Sequence, residues 1–229
     1  MPRLRVVTYN VHGLRDDLDA LTAVVRELEP DVLVVQEAPR RFRWRSRSAE
    51  LARRFGLVYA SGGGTALGNL ILVSLRVAVP GAWALRYPLT PGRHMRGAAF
   101  AQCVVDRVPF VVAGTHLSLD GAERLTQARL LDAALSGRTD PVPAVLAGDL
   151  NETPDGPAFG LLAAGRVDAA GADATPTFPA TFPGPARARI DALLVDPEIA
   201  VAGYRVVSSA ATVRASDHLP VLADLDLPG

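Results

Sequence analysis

The sequence predicts one layered α/β domain spanning residues 1–229. Apolar runs of strand length alternate with segments of helical spacing. Several of those runs end in a short polar signature, and no low-complexity linker or internal repeat interrupts them. At 229 residues, 49% apolar and 21% charged, the composition is that of an ordinary globular chain and excludes compositional disorder.

The elements follow in chain order. Leu4 to Tyr9 reads as a strand. Asp17 to Glu29 places Leu18, Leu21, Val24, Val25 and Leu28 at helical spacing, and Pro30 stops that helix. Val32 to Val35 is a continuous apolar run, as expected of a strand covered on both faces. Ser46 to Phe55 predicts a short helix ended by Gly56. Gly62 to Gly64 reads as a loop, with a strand through Leu70 to Val73 behind it. Ala98 to Val105 and Pro109 to Gly114 flank Asp106-Arg107 as a hairpin. Asp120 and Glu123 have capping-box spacing ahead of a helix through Leu135. Pro143 to Ala147 is a strand, residues 155–164 a helix, and the Pro-rich stretch 175–189 a loop. Ile190 to Val195 and Leu219 to Leu225 close the chain as strands.

Charge and cysteine content exclude further classes. Lys+Arg and Asp+Glu both number 24, so net charge is zero, and every cation is arginine. A polycation that coats nucleic acid is excluded, whereas a local basic patch is not. The lone Cys103 excludes an intrachain disulfide framework and a cysteine zinc site, and its apolar run predicts a buried thiol. No stretch reaches the roughly 18 apolar residues of a membrane span, and no basic-then-apolar leader opens the sequence. A soluble, cytoplasmic protein with no obligate protein partner is the expectation.

The polar signatures carry the functional reading. Val6 to Tyr9 runs into Asn10, Val34-Val35 into Gln36-Glu37, and Val111 to Gly114 into Thr115-His116. Val145 to Gly148 runs into Asp149-Leu150-Asn151, and Ser216-Asp217-His218 precedes the last strand. Singly, an Asn or Asp after a strand is usually a turn former, and a lone His is usually exposed or internally satisfied. Together, at strand ends where ligand sites of layered α/β proteins gather, they describe one chemistry. Asn10, Glu37 and Asp217 offer hard oxygen donors suited to Mg²⁺ or Mn²⁺. His116 and His218 can donate to phosphate oxygens or move a proton near neutrality. Asp149 can orient or deprotonate a water, and the neutral Asn151 amide can meet a phosphoryl oxygen. Metal-assisted phosphate-ester hydrolysis uses all of these groups.

The series Thr8-Tyr9-Asn10, Gln36-Glu37, Gly114-Thr115-His116-Leu117, Gly148-Asp149-Leu150-Asn151, Arg189-Ile190-Asp191 and Ser216-Asp217-His218 resembles the endonuclease/exonuclease/phosphatase superfamily, in the family's order. The resemblance implies a deoxyribonuclease I-like, four-layer αββα sandwich of two mixed sheets. It implies one or two divalent metals and in-line attack of water on phosphorus. Carried over motif by motif, Asn10 and Glu37 are metal ligands and Asp217 lies at or beside the metal. His218 is the essential histidine, with Asp191 orienting it. Asp149 activates water, Asn151 contacts phosphate, and His116 stabilises charge on the phosphoryl group. Asp191 has an alternative as a salt-bridge partner of Arg189 or Arg187. Asn69, in Gly68-Asn69-Leu70-Ile71-Leu72, resembles a family segment and is expected to support His116 near the substrate; its alternative is a turn residue. Thr181-Phe182 resembles a family segment that precedes the Arg-Ile-Asp motif and is expected to shape the site wall, although Phe182 equally suits the core.

His116 in Gly-Thr-His-Leu-Ser stands where the family's abasic-site endonucleases carry a Tyr-containing segment, which disfavours that branch. Arg40 to Arg47 holds five arginines with Phe42 and Trp44 interleaved, directly after Glu37. Arg41 and Arg43 are the candidate substrate contacts, because arginine pairs with phosphate and an aromatic stacks on a base. The alternative is a solvated loop with Trp44 folded onto the surface. Three functions remain open at this point. They are a Mg²⁺-dependent phosphodiesterase with a nucleic-acid substrate, a phosphatase or phosphodiesterase for a small metabolite or lipid headgroup, and a non-catalytic binding module. The intact motif residues argue against the last.

Overall fold

The computed structural model describes residues 1–139, 142–179 and 187–229. Along the chain come β1 (Arg3–Asn10), α1 (Leu18–Leu28), β2 (Val32–Gln36), α2 (Trp44–Phe55), β3 (Val58–Gly63), β4 (Asn69–Val73), β5 (Ala78–Arg86), β6 (Gly97–Val105) and β7 (Val108–His116). Then follow α3 (Gly121–Ser136), β8 (Ala144–Asp149), α4 (Pro157–Ala163), β9 (Val167–Asp168), β10 (Asp191–Val195), β11 (Ala200–Val206), α5 (Ala210–Ala215) and β12 (Val221–Asp226).

Among the described residues the strands form two six-stranded mixed sheets, ordered β11-β12-β1-β2-β4-β3 and β5-β6-β7-β8-β10-β9. Each sheet has one parallel pair near its centre, β1 with β2 and β7 with β8, bridged in sequence by α1 and α3. Packing follows from alternation along each strand. Leu4 and Val6, Val32 and Val34, Phe110 and Val112, Val145 and Ala147, and Leu193 and Val195 face the space between the sheets. Their neighbours face outward under helices: Val7, Leu33 and Val35 pack with α1 and α2, and Val111, Ala113 and Leu146 pack with α3 and α4. The layers are therefore helix, sheet, sheet, helix, the αββα sandwich that the resemblance implied. Each fully buried Val, Leu or Phe stabilises this arrangement by about 1.5–3 kcal/mol. Cys103 belongs to the inter-sheet core, 1% exposed, and burial pushes its thiol pKa up to about 12.

Local chemistry sets the element boundaries. The Asp17 side chain accepts from the Asp19 and Ala20 backbone N–H groups and starts α1, which stops at a left-handed Glu29 before Pro30. Asp120 accepts from Glu123 N–H at 3.0 Å and starts α3. Glu123 does not complete a capping box; its carboxylate accepts from Ser118 Oγ. Asp106 and Arg107 both have positive φ, +48° and +72°, as a two-residue turn between β6 and β7 requires.

Some expectations fail. Gly62 and Gly63 belong to β3 and not to a loop, and α2 begins at Trp44, two residues before Ser46. The strands β3, β5, β9 and β11 went unpredicted; they are the four edges of the two sheets. The short α5 went unpredicted as well. Thr181 and Phe182 lie outside the described residues.

Gly114 lies on the inter-sheet face, where a Cβ would stand 2.6 Å from Val34 Cγ1. Gly114→Val should therefore destabilise the fold by about 1–3 kcal/mol through overpacking. Gly160, in α4 with open space around its Cα, should gain about 0.5–1 kcal/mol on replacement by Ala. Urea denaturation of both variants reads the opposite signs.

Candidate functional site

The inter-sheet face turns polar at one end of the sandwich. Continuing the alternation from Val6 and Thr8 brings Asn10 to that face; from Val32 and Val34 it brings Gln36, and from Ile71, Asn69. The same count brings His116 from Phe110 and Val112, Asp149 from Val145 and Ala147, and Asp191 from Val195 and Leu193. Register makes them lateral neighbours: Asn10 pairs with Gln36, His116 with Asp149, and Asp149 with Asp191.

The Asp149 carboxylate, 1% exposed, is the meeting point. Its Oδ2 accepts from Asn10 Nδ2 at 3.0 Å, lies 3.2 Å from His116 Nε2 and is 3.8 Å from His218 Nε2. Its Oδ1 accepts from the Asn151 backbone N–H at 2.9 Å. Asn151 has a left-handed φ of +50°, and its side-chain amide donates to Leu117 O. His218 Nδ1 lies 2.9 Å from Asp191 Oδ2, and its ring packs against Phe178 with centroids 4.5 Å apart. Thr177 Oγ1 accepts from the Asp191 backbone N–H. The Ser216 hydroxyl fixes the Ser-Asp-His turn: it donates to Asn10 O at 2.6 Å and accepts from His218 N–H at 3.3 Å. Asp191 is thus a partner of His218. The salt bridge proposed for Arg189 goes instead to Asp168, at 2.7 Å.

The two histidines have opposite electrostatics. Burial opposes charge on His218, but Asp191, Asp149 and Asp217 together outweigh it and raise its pKa to about 9. Burial dominates at His116, helped by the positive Arg96, His218 and Arg40, and lowers its pKa to about 3 against the pull of Asp149. At neutral pH one imidazole is a cation and the other is neutral.

A cleft of about 560 Å³ opens above these groups. Asn10, Glu37, Asp149, Asn151, His116, Asp217 and His218 line it, and Asp191 stands behind His218. Glu37 occupies a left-handed position, φ +57°, immediately after β2. Its carboxylate accepts no hydrogen bond from the described residues. Asn10, Glu37 and Asp217 are therefore a hard-oxygen donor set with an unengaged carboxylate, which fits a divalent cation. Asp149, Asp191 and His218 bring one ligating atom each within 4.8 Å of one another, the one such group of His, Cys, Asp and Glu side chains among the described residues.

Two of the expected substrate contacts lie elsewhere. Asn69 is 1% exposed; its amide donates to Ala66 O and Gly97 O and anchors the start of β4 behind the cleft. Arg41 lines the cleft, but Arg43, left-handed at the start of α2, borders a separate groove with Phe42, Leu14 and Leu18. Trp44 lies against Gly63 and Gly64, where a Cβ would come within 2.7 Å of its ring, and Arg45 covers that ring at 4.5 Å. Trp44 is thus packing and not an open stacking platform.

Other cleft residues escaped the sequence reading: Arg15, Arg96, His12, His94 and Phe178. Arg96 directly precedes β6, which runs antiparallel to β7, so its position coincides with the end of β7 that carries His116. Its Nε is buried without a hydrogen-bond partner among the described residues. Arg96 precedes its strand, whereas the other polar site residues on this sheet edge end or begin theirs.

In chelator-treated protein, imidazole ¹⁵N resonances should show His218 protonated through neutrality and releasing its proton near pH 9. His116 should stay neutral down to about pH 3. Asp191→Asn should move the His218 transition down, because burial then meets less opposing charge. Two histidines titrating together in the ordinary range would contradict the assignment.

The sequence profile described as the Endonuclease/Exonuclease/phosphatase family matches residues 7–218. No curated protein sequence matches the chain. Among solved structures, an endonuclease/exonuclease/phosphatase from Beutenbergia cavernae is 26% identical with a TM-score of 0.74, covering 100% of this chain and 72% of that one. A mannosyl-6-phosphatase from Bacteroides thetaiotaomicron is 17% identical with a TM-score of 0.82, covering 98% and 100%. D. rerio TDP2 complexed with single-strand DNA product is 18% identical with a TM-score of 0.79, covering 99% and 100%.

Proposed function

The chain belongs to the endonuclease/exonuclease/phosphatase family, whose members hydrolyse phosphate esters with divalent metals, and from that premise we propose that it is a Mg²⁺- or Mn²⁺-dependent phosphodiesterase acting on nucleic acid. The observation that carries the reading is the convergence of Asn10, His116 and His218 within 3.8 Å of one Asp149 oxygen at the floor of the cleft.

Asn10, Glu37 and Asp217 would hold the metal, which when bound polarises a phosphoryl oxygen and offsets charge in the transition state. Asp149 orients the attacking water and accepts its proton. Its geometry is held by Asn151 N–H on one oxygen and Asn10 on the other. His218 presents Nε2–H to the phosphoryl group as a cation, with Nδ1 fixed by Asp191. The neutral His116 shares Asp149 and can donate a hydrogen bond without adding charge. Asn151 retains a second amide N–H for a phosphoryl oxygen.

Five arginines at the cleft, Arg15, Arg40, Arg41, Arg47 and Arg96, support a polyanionic substrate in a chain of zero net charge. Hydrolysis of a small phosphorylated metabolite or lipid headgroup is the second reading. It is favoured by a cleft of about 560 Å³ and by the packed Trp44, which offers no base-stacking face. Among the described residues no helix is long and apolar enough to cross a membrane.

Mg²⁺-dependent nicking of supercoiled plasmid tests the first reading. His218→Ala should lower turnover by at least ~10²-fold, the usual loss for a group of this kind. Glu37→Gln should weaken metal affinity in a calorimetric titration. If wild type leaves plasmid intact but cleaves small phosphoesters with the same His218 dependence, the second reading replaces the first.

A further inference from the structure

We propose that His12 is a nitrogen ligand of the divalent ion at the Asn10–Glu37–Asp217 end of the cleft, and that it makes this site select Mn²⁺, Co²⁺ or Zn²⁺ over Mg²⁺. The inference rests on the metal-dependent reading above and concerns which ion that site takes.

His12 lies two residues beyond Asn10 and lines the cleft. Its Nδ1 is 2.8 Å from Asp16 Oδ2, and Nε2 is 3.7 Å from Asp217 Oδ2. In the tautomer that donates Nδ1–H to Asp16, the lone pair is on Nε2, the nitrogen on the Asp217 side. A separation of 3.7 Å is too long for a hydrogen bond. It falls within the ~3–4 Å spread of two ligands that each stand about 2.1 Å from one ion. A carboxylate that orients an imidazole whose other nitrogen faces an acidic ligand is the recurring support of histidine metal ligands.

The backbone is committed to this placement. His12, Gly13 and Leu14 take φ values of +46°, +65° and +59° in succession. Left-handed conformations at two non-glycine residues cost free energy and persist only where the surroundings enforce them. Here His12 N–H donates to Asn10 Oδ1 at 3.1 Å, and Leu14 N–H closes the turn on Val11 O. The same turn brings Gly13 to Glu37, whose Oε2 would stand 3.8 Å from a Cβ there. His12, Glu37 and Asp217 thus face one end of the cleft. An all-oxygen set suits Mg²⁺, whereas one imidazole shifts preference along the first-row series.

The test compares Mn²⁺ and Mg²⁺ binding by calorimetry, and Mn²⁺ coordination by pulsed EPR, on the full chain. Asn tolerates left-handed backbone, so His12→Asn removes the imidazole without forcing the turn. Wild type should bind Mn²⁺ at least ~10-fold more tightly than Mg²⁺, and His12→Asn should cost at least ~10-fold in Mn²⁺ affinity but under ~3-fold for Mg²⁺. Directly coupled ¹⁴N should appear in wild type and in His116→Ala, and vanish in His12→Asn. Unchanged Mn²⁺ affinity and coupling in His12→Asn, with Glu37→Gln still weakening both ions, would overturn the proposal. His12 would then be an ion-pair partner of Asp16 and Asp217 within an intact metal site. Wild-type binding of both ions by Glu37→Gln would instead overturn the metal-site reading, and this inference with it.

Discussion

Two sheets packed face to face must fill the space between them, and the alternation of side chains along each strand decides what fills it. Over most of the sandwich the filling is Val, Leu, Ile, Ala and Phe. At one end the same strand faces carry Asn10, His116, Asp149 and Asp191. Polar groups so enclosed are costly unless they satisfy one another. Most of them do so through the Asp149 carboxylate, which accepts Asn10 and the Asn151 backbone while facing both histidines; Asp191 engages His218 through Oδ2, and its Oδ1 has no hydrogen-bond partner among the described residues. The candidate site is therefore the polar end of the core, held with the rigidity of the core.

That origin explains the division between the histidines. Both rings are buried, which alone favours neutrality. His218 has Asp191 fixed at Nδ1 by register with Asp149 and keeps its proton; His116 shares Asp149 while facing Arg96 and Arg40 and loses it. Asp191 at Nδ1, reinforced by Asp149 and Asp217, separates a cationic His218 from a neutral His116. The arginines complete the field: net charge is zero, yet several of them surround the cleft, so attraction for phosphate is local.

Legibility in the sequence followed burial. Most strands at the interior of a sheet read as apolar runs, because both of their faces are covered, and β1 and β12 read through their apolar residues despite Arg5, Asp224 and Asp226. The edge strands do not. In β5, Ala78–Arg86, most residues are exposed and Pro80 interrupts the pattern, as an edge tolerates. The motif residues were legible because they directly follow or precede those interior strands. Arg96 and His12 were not. Arg96 reaches the site from the start of an antiparallel strand, and His12 through a left-handed turn with no sequence periodicity. Asn69 was misplaced because a polar residue beside glycine can face inward as a backbone anchor, whereas Trp44 takes the alternative its segment left open, folded against Gly63 and Gly64.

In the proposed reading, phosphoester chemistry takes place where the inter-sheet face turns polar, against Asp149 and His218. A crystal structure grown with Mn²⁺ and phosphate, with anomalous scattering recorded for the metal, tests it most directly. Metal should be bound by Glu37, with a phosphate oxygen in hydrogen-bond reach of His218 Nε2 and the anion over Asp149. Metal and phosphate bound together away from Glu37, His218 and Asp149 would contradict it.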